Sequence, residues 1–317
     1  MAAALALAER GRGRTAPNPN VGCVIVRDGR VVGRGWTQPG GRPHAEAMAL
    51  EQAGVAAEGA TVYVTLEPCA HASPRGPACA DLLVAARPAR VVAALIDPDP
   101  RTAGRGMDRL RAAGIAAADS VAADDARRAM AGFLTRAALG RPHVTLKLAT
   151  SLDGAIALAT GESRWITGPE ARAHAHLERS RHEAILVGRG TLAADAPRLD
   201  VRLPGLEARS PRRILLSRAR ACPPGWEAIA APERIGMLAG VDHLLVEGGA
   251  ITASAFLAAD LVDRLLLYRA PILIGAGRPA LDGIGLTRLA DAHGRWRQTD
   301  ARTLGSDRLE VYERRRD

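Results

Sequence analysis

Lysine is almost absent: of the 43 basic residues, Lys147 is the only lysine and every other one is arginine. Arginine is a permanently charged planar fork, whereas lysine is a compact donor that gives up a proton readily, so a lysine kept in such a chain is a candidate for chemistry. Aromatic residues make up only 3%, which argues against a platform on which the bases of a single strand stack. The four cysteines, Cys23, Cys69, Cys79 and Cys222, show no disulfide pattern and fit a reducing compartment, so the cytoplasm is the expected location. No apolar run reaches membrane-spanning length. The apolar start, Met1 to Ala8, lacks a preceding basic region and runs straight into Glu9-Arg10. It reads as a first amphipathic helix rather than a signal peptide.

What is present is ordinary for a globular protein: 317 residues, 47% hydrophobic and 24% charged, enough for about two domains with a core each. The formal net charge of +9 permits nucleic acid as a partner without requiring it, because phosphorylated small molecules benefit from the same field.

The informative stretch is Pro43-His44-Ala45-Glu46, taken with Glu67-Pro68-Cys69 and Cys79. One histidine and two cysteines can hold Zn²⁺ with its fourth tetrahedral position open to water, whose pKa then falls to about 7. Glu46, which is not a ligand, would move the proton while the water displaces an exocyclic amine from a nucleobase ring. Pro43 suits the first turn of a helix. A two-residue helical step turns about 200°, so His44 and Glu46 converge only near the helix end. Each piece alone has a plainer reading, since His-x-Glu is common and intracellular cysteines often serve as small buried hydrophobes. Their joint order, with a strand-like run from Ala60 to Leu66 entering Glu-Pro-Cys and a helix-like run from Cys79 to Val84, favours the zinc site. Nine residues separate the two cysteines; the loop holds His71, Ser73 and Arg75 and gives the pocket a polar, basic wall.

In chain order, a hairpin is expected from Val21 to Trp36 around Asp28-Gly29. The zinc helix should run from Pro43 to about Gln52. A buried strand should span Arg90 to Ile96, with helices from Gly104 to Ala113 and from Asp124 to Leu139. Gly140-Arg141-Pro142 is the natural boundary. Beyond it His143 to Ala149 alternates like a strand, Pro169 starts a helix, and Glu183 to Gly188 and Arg213 to Leu216 read as strands. His243 to Val246 enters Gly248-Gly249 and a helix to Ala258, a unit that can cradle phosphate, though a Gly-Gly pair alone is a weak signal. Strands alternating with helices imply layered α/β architecture.

Taken together, Asn18-Pro-Asn-Val-Gly22, His44-Ala-Glu46, Thr65-Leu-Glu-Pro-Cys69 with His71, Asp97-Pro98, Gly104-Arg-Gly106, Lys147-Leu-Ala-Thr-Ser-Leu-Asp-Gly154, Gly161-Glu-Ser-Arg-Trp-Ile-Thr167, Ala194-Asp195-Ala-Pro-Arg-Leu199 with Arg202, and Val246-Glu-Gly-Gly249 resemble the bifunctional deaminase/reductase of riboflavin biosynthesis over almost the whole chain. The resemblance implies an α/β protein: a cytidine-deaminase-like α/β/α layered domain over 1–140, then a dihydrofolate-reductase-like α/β domain over 141–317. The first would deaminate a 2,5-diaminopyrimidinone carrying ribosylamine 5′-phosphate, and the second would reduce its ribose to ribityl with NADPH. By position His44, Cys69 and Cys79 would bind one zinc, Glu46 would shuttle protons, and Asn18 and His71 would contact the base or sugar phosphate. Ala149, Trp165, Thr191, Asp195 and Gly249 would line NADPH. Ser163, Arg179, Leu199, Arg202 and Glu247 would face the substrate, with Lys147 as hydrogen-bond donor where hydride arrives. The expected partners are this small phosphorylated pyrimidine and further copies of the chain in a dimer or tetramer, with neither nucleic acid nor membrane.

The chain departs from the family pattern at Thr37, where a histidine is usual, at Ile272, where a lysine is common, and in a Cys69–Cys79 loop one residue longer. Between Leu216 and His243 it looks short of part of a strand and helix. Alternatives are a deaminase with a non-functional reductase half, a nucleic-acid adenosine or cytidine deaminase, and a degenerate protein with structural zinc.

Overall fold

A computed structural model describes residues 1–71, 73–219 and 222–316. The chain divides into two compact units, Met1–Gly140 and Arg141–Asp317.

The first unit runs α1 (Ala2–Ala8), β1 (Gly22–Arg27), β2 (Arg30–Trp36), α2 (Ala45–Ala53), β3 (Thr61–Val64), α3 (Cys79–Ala86), β4 (Arg90–Ala93), α4 (Arg105–Ala112), β5 (Ala116–Ala118), α5 (Ala123–Ala129) and α6 (Ala131–Leu139). Its sheet has the order β2-β1-β3-β4-β5. The β1–β2 hairpin turns at Asp28 and Gly29, with φ of 50° and 73°, the positive values that a tight hairpin demands. Gly35 and Gly33 of β2 pair with Cys23 and Ile25. A Cβ on Gly35 would stand 2.0 Å from the Ala45 carbonyl oxygen, and one on Gly33 2.2 Å from that of Ala49. The two glycines therefore let α2 lie against bare strand backbone. α3 packs beside α2 and α4 beside α3. Gly22, one residue out of phase with Cys23, instead meets α1, and α5 joins α1. Helices thus cover both faces, around a core that includes Ile25, Val62, Leu83, Val91 and Met107.

Two expectations change here. The single helix from Asp124 to Leu139 is broken at Met130 (φ −106°, ψ 20°), where the Asn20 amide donates to the Ala129 carbonyl at 3.0 Å and takes it from the helical ladder. Strand β5 is three alanines, a residue depleted in strands, and gave no signal.

The second unit runs β6 (His143–Thr150), β7 (Ala155–Ala157), α7 (Pro169–Arg179), β8 (Ala184–Gly188), α8 (Arg189–Asp195), β9 (Arg212–Leu216), β10 (Trp226–Ile229), β11 (His243–Val246), α9 (Ala250–Ala258), β12 (Arg264–Arg269), β13 (Arg278–Pro279), β14 (Trp296–Leu304) and β15 (Asp307–Arg314). The eight-stranded sheet has the order β10-β9-β8-β11-β6-β12-β15-β14. Its first six strands are parallel and the last two antiparallel. β8 is buried along its whole length, as a strand covered on both faces should be. β14 is polar and mostly exposed, the composition that guards a sheet edge. Because β11 lies between β8 and β6, three parallel strands end side by side, where such sheets open their ligand crevice. β7 and β13 form a separate two-stranded arm. The segment between Leu216 and His243 holds β10, paired with β9. It is followed by a 3₁₀ stretch at Pro232–Met237. Directly after Gly188 comes the short helix α8.

Candidate functional site

In the first unit His44 is the N-cap of α2, with extended backbone (φ −73°, ψ 163°), and Glu46 lies in the first turn. Pro43 precedes the cap instead of occupying that turn. A capping residue is outside the helical repeat, so the 200° step does not bind His44, and both side chains can face one point. Cys69 sits in the loop after β3, and Cys79 is the first residue of α3.

The Nδ1 atom of His44 is 3.3 Å from Cys79 Sγ and 3.6 Å from Cys69 Sγ, and the three candidate donors lie within 4.8 Å of one another. A nitrogen and a sulfur at zinc bond lengths and the tetrahedral angle stand about 3.6 Å apart. Spacing and donor set therefore both fit zinc. The Cys79 backbone N–H donates to Cys69 Sγ at 3.2 Å, and hydrogen bonding from Cys79 draws the Cys69 thiol down to about 4. The shared hydrogen bond and burial push Cys79 the other way. Burial pushes the Glu46 carboxyl up to about 7, against the opposing pull of His44. A carboxyl near neutrality can both take and return a proton.

Asn18 Nδ2 lies 2.9 Å from His44 Nε2 and 3.1 Å from the Gly41 carbonyl oxygen, to which it donates. It lies against the ring on the side away from the sulfurs. His71 Nδ1 is 3.2 Å from the hydroxyl of Thr102, a buried residue that the sequence did not flag. Arg75 donates to the Gly40 carbonyl at 2.6 Å, which carries the basic wall of the cysteine loop onto the Pro39–Gly41 turn. Thr37 is buried, and its hydroxyl accepts the Val21 N–H at 3.0 Å; it supports main chain.

In the second unit Ala149, Gly188 and Val246 lie at neighbouring strand ends. Gly249 caps α9, and its N–H donates to Thr191 Oγ1 of α8 at 3.2 Å. A Cβ on Gly188 would stand 2.2 Å from Thr252 Oγ1, so β8 and α9 close tightly beneath this edge. The Arg164 guanidinium donates to the Asp195 main-chain oxygen at 3.2 Å. Trp165 is 65% exposed, with Arg172 and Arg164 at 4.8 and 5.9 Å from its ring centroid. These residues leave an aromatic and cationic surface at the end of α8, and the start of α9, joined to α8 through Thr191, is a setting that fits a phosphate.

Arg179 and Glu247 form a two-pronged ion pair, both contacts 2.8 Å. Burial alone would raise the Glu247 carboxyl, but Arg179 brings it down to about 2. Arg179 also donates to the Asp200 carbonyl at 3.1 Å, and Arg202 pairs with the Asp200 carboxylate, so Arg179, Arg202 and Glu247 gather in one place. The Leu199 side chain is buried with Ile185, Val187 and Leu245; only its main chain, at φ 55°, is left to face a ligand. Ser163 is half-buried in the loop that carries Trp165. Lys147 projects from inside β6, its Nζ 5.8 Å from the ring centroid of Tyr268 on β12. Burial pushes its pKa down, with Glu247 opposing and Arg179 adding to the shift. The sequence did not flag Tyr268, which reads there as one more apolar position of a strand.

Residues 1–95 match the cytidine and deoxycytidylate deaminase zinc-binding region, and residues 142–230 and 237–309 match the RibD C-terminal domain. The gap between the two C-terminal matches falls on the 3₁₀ stretch at Pro232–Met237. Among curated proteins the chain is 43% identical to riboflavin biosynthesis protein RibD of Escherichia coli K12, over 92% of each. It is 36% identical to that of Aquifex aeolicus, over 99% of this chain and 97% of the relative. Among solved structures it is similar to Acinetobacter baumannii RibD, with a TM-score of 0.89, 36% identity and coverage of 99% and 98%. The Thermotoga maritima diaminohydroxyphosphoribosylaminopyrimidine deaminase/5-amino-6-(5-phosphoribosylamino)uracil reductase gives a TM-score of 0.88 at 30% identity, over 99% of this chain and 97% of that one.

Proposed function

The chain belongs to the RibD family of bifunctional riboflavin-biosynthesis enzymes, and from that premise we propose how its residues divide the work. It deaminates the diaminopyrimidinone ribosylamine phosphate with zinc and reduces the product's ribosyl group to ribityl with NADPH. Residues 1–140 carry the first step and residues 141–317 the second.

Zinc held by His44, Cys69 and Cys79 would supply a Lewis acid and a water acidified to about neutral pH. Glu46 takes the water's proton, delivers it to the ring nitrogen beside the carbon under attack, and protonates the amine that leaves as ammonia. Asn18 and His71 hold the base or the sugar phosphate. In the second unit Ala149, Trp165, Thr191, Asp195 and Gly249 line the groove for NADPH, the hydride donor. Lys147 donates a hydrogen bond to the opened ribose at the carbon that receives hydride. Its depressed pKa favours release of the proton. Ser163, Arg179, Arg202, Glu247 and the main chain of Leu199 orient the substrate.

The observation that carries this reading is the convergence of His44, Cys69 and Cys79 around the buried acid Glu46, because a structural zinc site needs no such acid. The test is one cuvette containing zinc-loaded protein, substrate and NADPH. Ammonia release followed by loss of NADPH absorbance is expected. Ammonia without NADPH loss would leave a deaminase alone, and neither signal would sink the reading.

Leu152, Leu158, Ile272 and Leu273 are exposed around the β7–β13 arm, where the Leu152 N–H donates to the Ile272 carbonyl at 2.8 Å. This apolar cluster supports assembly with further copies in a dimer or tetramer. Analytical ultracentrifugation returning a monomer at micromolar concentration would exclude it. The four free cysteines and the NADPH requirement support a cytoplasmic location, which cell fractionation with an activity assay tests. Among the described residues no helix is long and apolar enough to cross a membrane.

A further inference from the structure

We propose that Glu67 is a positioning residue of the deaminase site, setting the Cys69 turn and the His71–Thr102 wall together; this rests on the deaminase reading above. Glu67 is 2% exposed, and its carboxylate accepts four main-chain N–H groups from a distant segment. Oε2 receives those of Asp97 at 3.1 Å and Gly104 at 2.9 Å, and Oε1 those of Gly106 at 2.8 Å and Met107 at 3.2 Å. Helix α4 begins after Gly104, which has no side chain to cap it, yet the first turn of any helix presents unsatisfied N–H groups. Glu67 meets that need from about forty residues away, with its negative charge at the favourable end of the dipole. The approach is backbone to backbone. A Cβ on Gly106 would stand 2.1 Å from the Pro68 carbonyl oxygen and 3.1 Å from Glu67 Oε1.

The consequence for the metal site follows from the spacing along the chain. Two residues after Glu67 comes Cys69, whose carbonyl accepts the Ala80 N–H at 3.1 Å and so joins it to the helix that begins with Cys79. One residue further, the Ala70 N–H reaches Thr102 Oγ1 at 3.5 Å, and His71 Nδ1 lies 3.2 Å from the same hydroxyl. Thr102 belongs to the loop whose two ends, Asp97 and Gly104, Glu67 holds. Cys69 therefore lies between two tethers to one loop, and a shift in either moves a metal ligand and the pocket wall at once.

Glu67→Gln tests this by turning one acceptor oxygen into an amide NH₂ that faces two N–H donors. Well below its unfolding temperature the variant should lose about 10- to 100-fold in deaminase kcat/KM, the range seen for outer partners of metal ligands. The d–d band of the cobalt-substituted protein should shift, and amide exchange at Gly106 and Met107 should accelerate. NADPH turnover on already deaminated substrate should stay at the wild-type rate. Gly106→Ala disturbs the same contact from the helix side and should give the same pattern; if Glu67→Gln does not fold, this variant decides. Wild-type deaminase kinetics and cobalt spectrum in the folded variants would overturn the proposal, leaving Glu67 a stabilising residue. Equal loss of both activities would also overturn it. Wild-type protein that releases no ammonia would instead remove the deaminase reading itself.

Discussion

In the first unit the functional side chains stand at the ends of elements, with His44 capping α2, Glu46 in its first turn, Cys79 opening α3 and Cys69 in the loop after β3. In the second unit Lys147 projects from inside a strand, and its charged neighbours Arg179 and Glu247 come from the end of α7 and the residue after β11. The first site is framed by main-chain hydrogen bonds around the cluster of His44, Cys69 and Cys79, so its acid can be changed with little change to its frame. The second is held by opposing charges inside a core, where chemistry and stability use the same atoms. A mutation of Glu46 should therefore separate activity from folding, and a mutation of the Arg179–Glu247 pair should not.

The sharpest separation is expected at Glu46. Glu46→Gln keeps shape and zinc but removes the proton carrier, so ammonia release should fall by about 10²- to 10⁴-fold while zinc content, melting temperature and NADPH turnover on deaminated substrate hold. Substantial residual deamination would take the proton role from Glu46. The opposite behaviour is expected at Glu247. Glu247→Gln leaves Arg179 buried beside a neutral partner, which costs on the order of 3–5 kcal/mol. Calorimetry should show the second unit melting earlier with the first unmoved, and reduction should fail with it. If Glu247→Gln loses reduction but keeps its melting profile, the contrast between the two sites breaks.

Sequence legibility divides along the same line. The candidate zinc residues are readable because end-of-element chemistry leaves short local signatures, such as His-x-Glu and Glu-Pro-Cys. The helix from Pro43 was misread by two residues because proline is accepted both ahead of a cap and in a first turn, and only the extended backbone of His44 distinguishes them. Thr102 escaped notice because nothing local marks a threonine that serves a residue thirty positions away. Tyr268 escaped for a related reason: its neighbour Lys147 is reached across a parallel pairing of β6 with β12, which the linear pattern does not record. Leu199 was placed from resemblance alone, and its side chain belongs to the core. The break at Met130 depends on Asn20, more than a hundred residues earlier, and no helical period reveals it.

Acid sharpens the contrast next. The Glu247 carboxyl at about 2 lies below the unfolded glutamate value of about 4.3. Its contribution to stability is therefore complete above pH ~4.3 and disappears as pH falls through about 2, a loss on the order of 3 kcal/mol. Urea unfolding of the second unit between pH 5 and pH 2 should follow that slope, and Glu247→Gln should flatten it. Lys147→Arg ranks just below. It keeps the charge but replaces a compact proton donor with a larger one that does not release its proton, so reductase kcat should drop by about 10²-fold while deamination stays. Unchanged reduction would return Lys147 to the status of a strand residue.

The smallest effect separates the roles of one ring. The Tyr268 hydroxyl is 2.7 Å from His174 Nδ1, and burial raises the phenol's pKa, so it stays neutral. Its ring face meanwhile lies near the Lys147 ammonium. Tyr268→Phe removes only the hydroxyl and should cost about 1 kcal/mol of stability in the second unit, with reductase kcat unchanged. Tyr268→Leu also removes the π face, which attracts a cation by ~0.5–2 kcal/mol, so kcat should fall several-fold beyond the phenylalanine variant at temperatures where both remain folded. If the two variants turn over NADPH equally, the ring is packing alone. In that case the ion pair of Arg179 and Glu247 positions Lys147 without help from its aromatic neighbour.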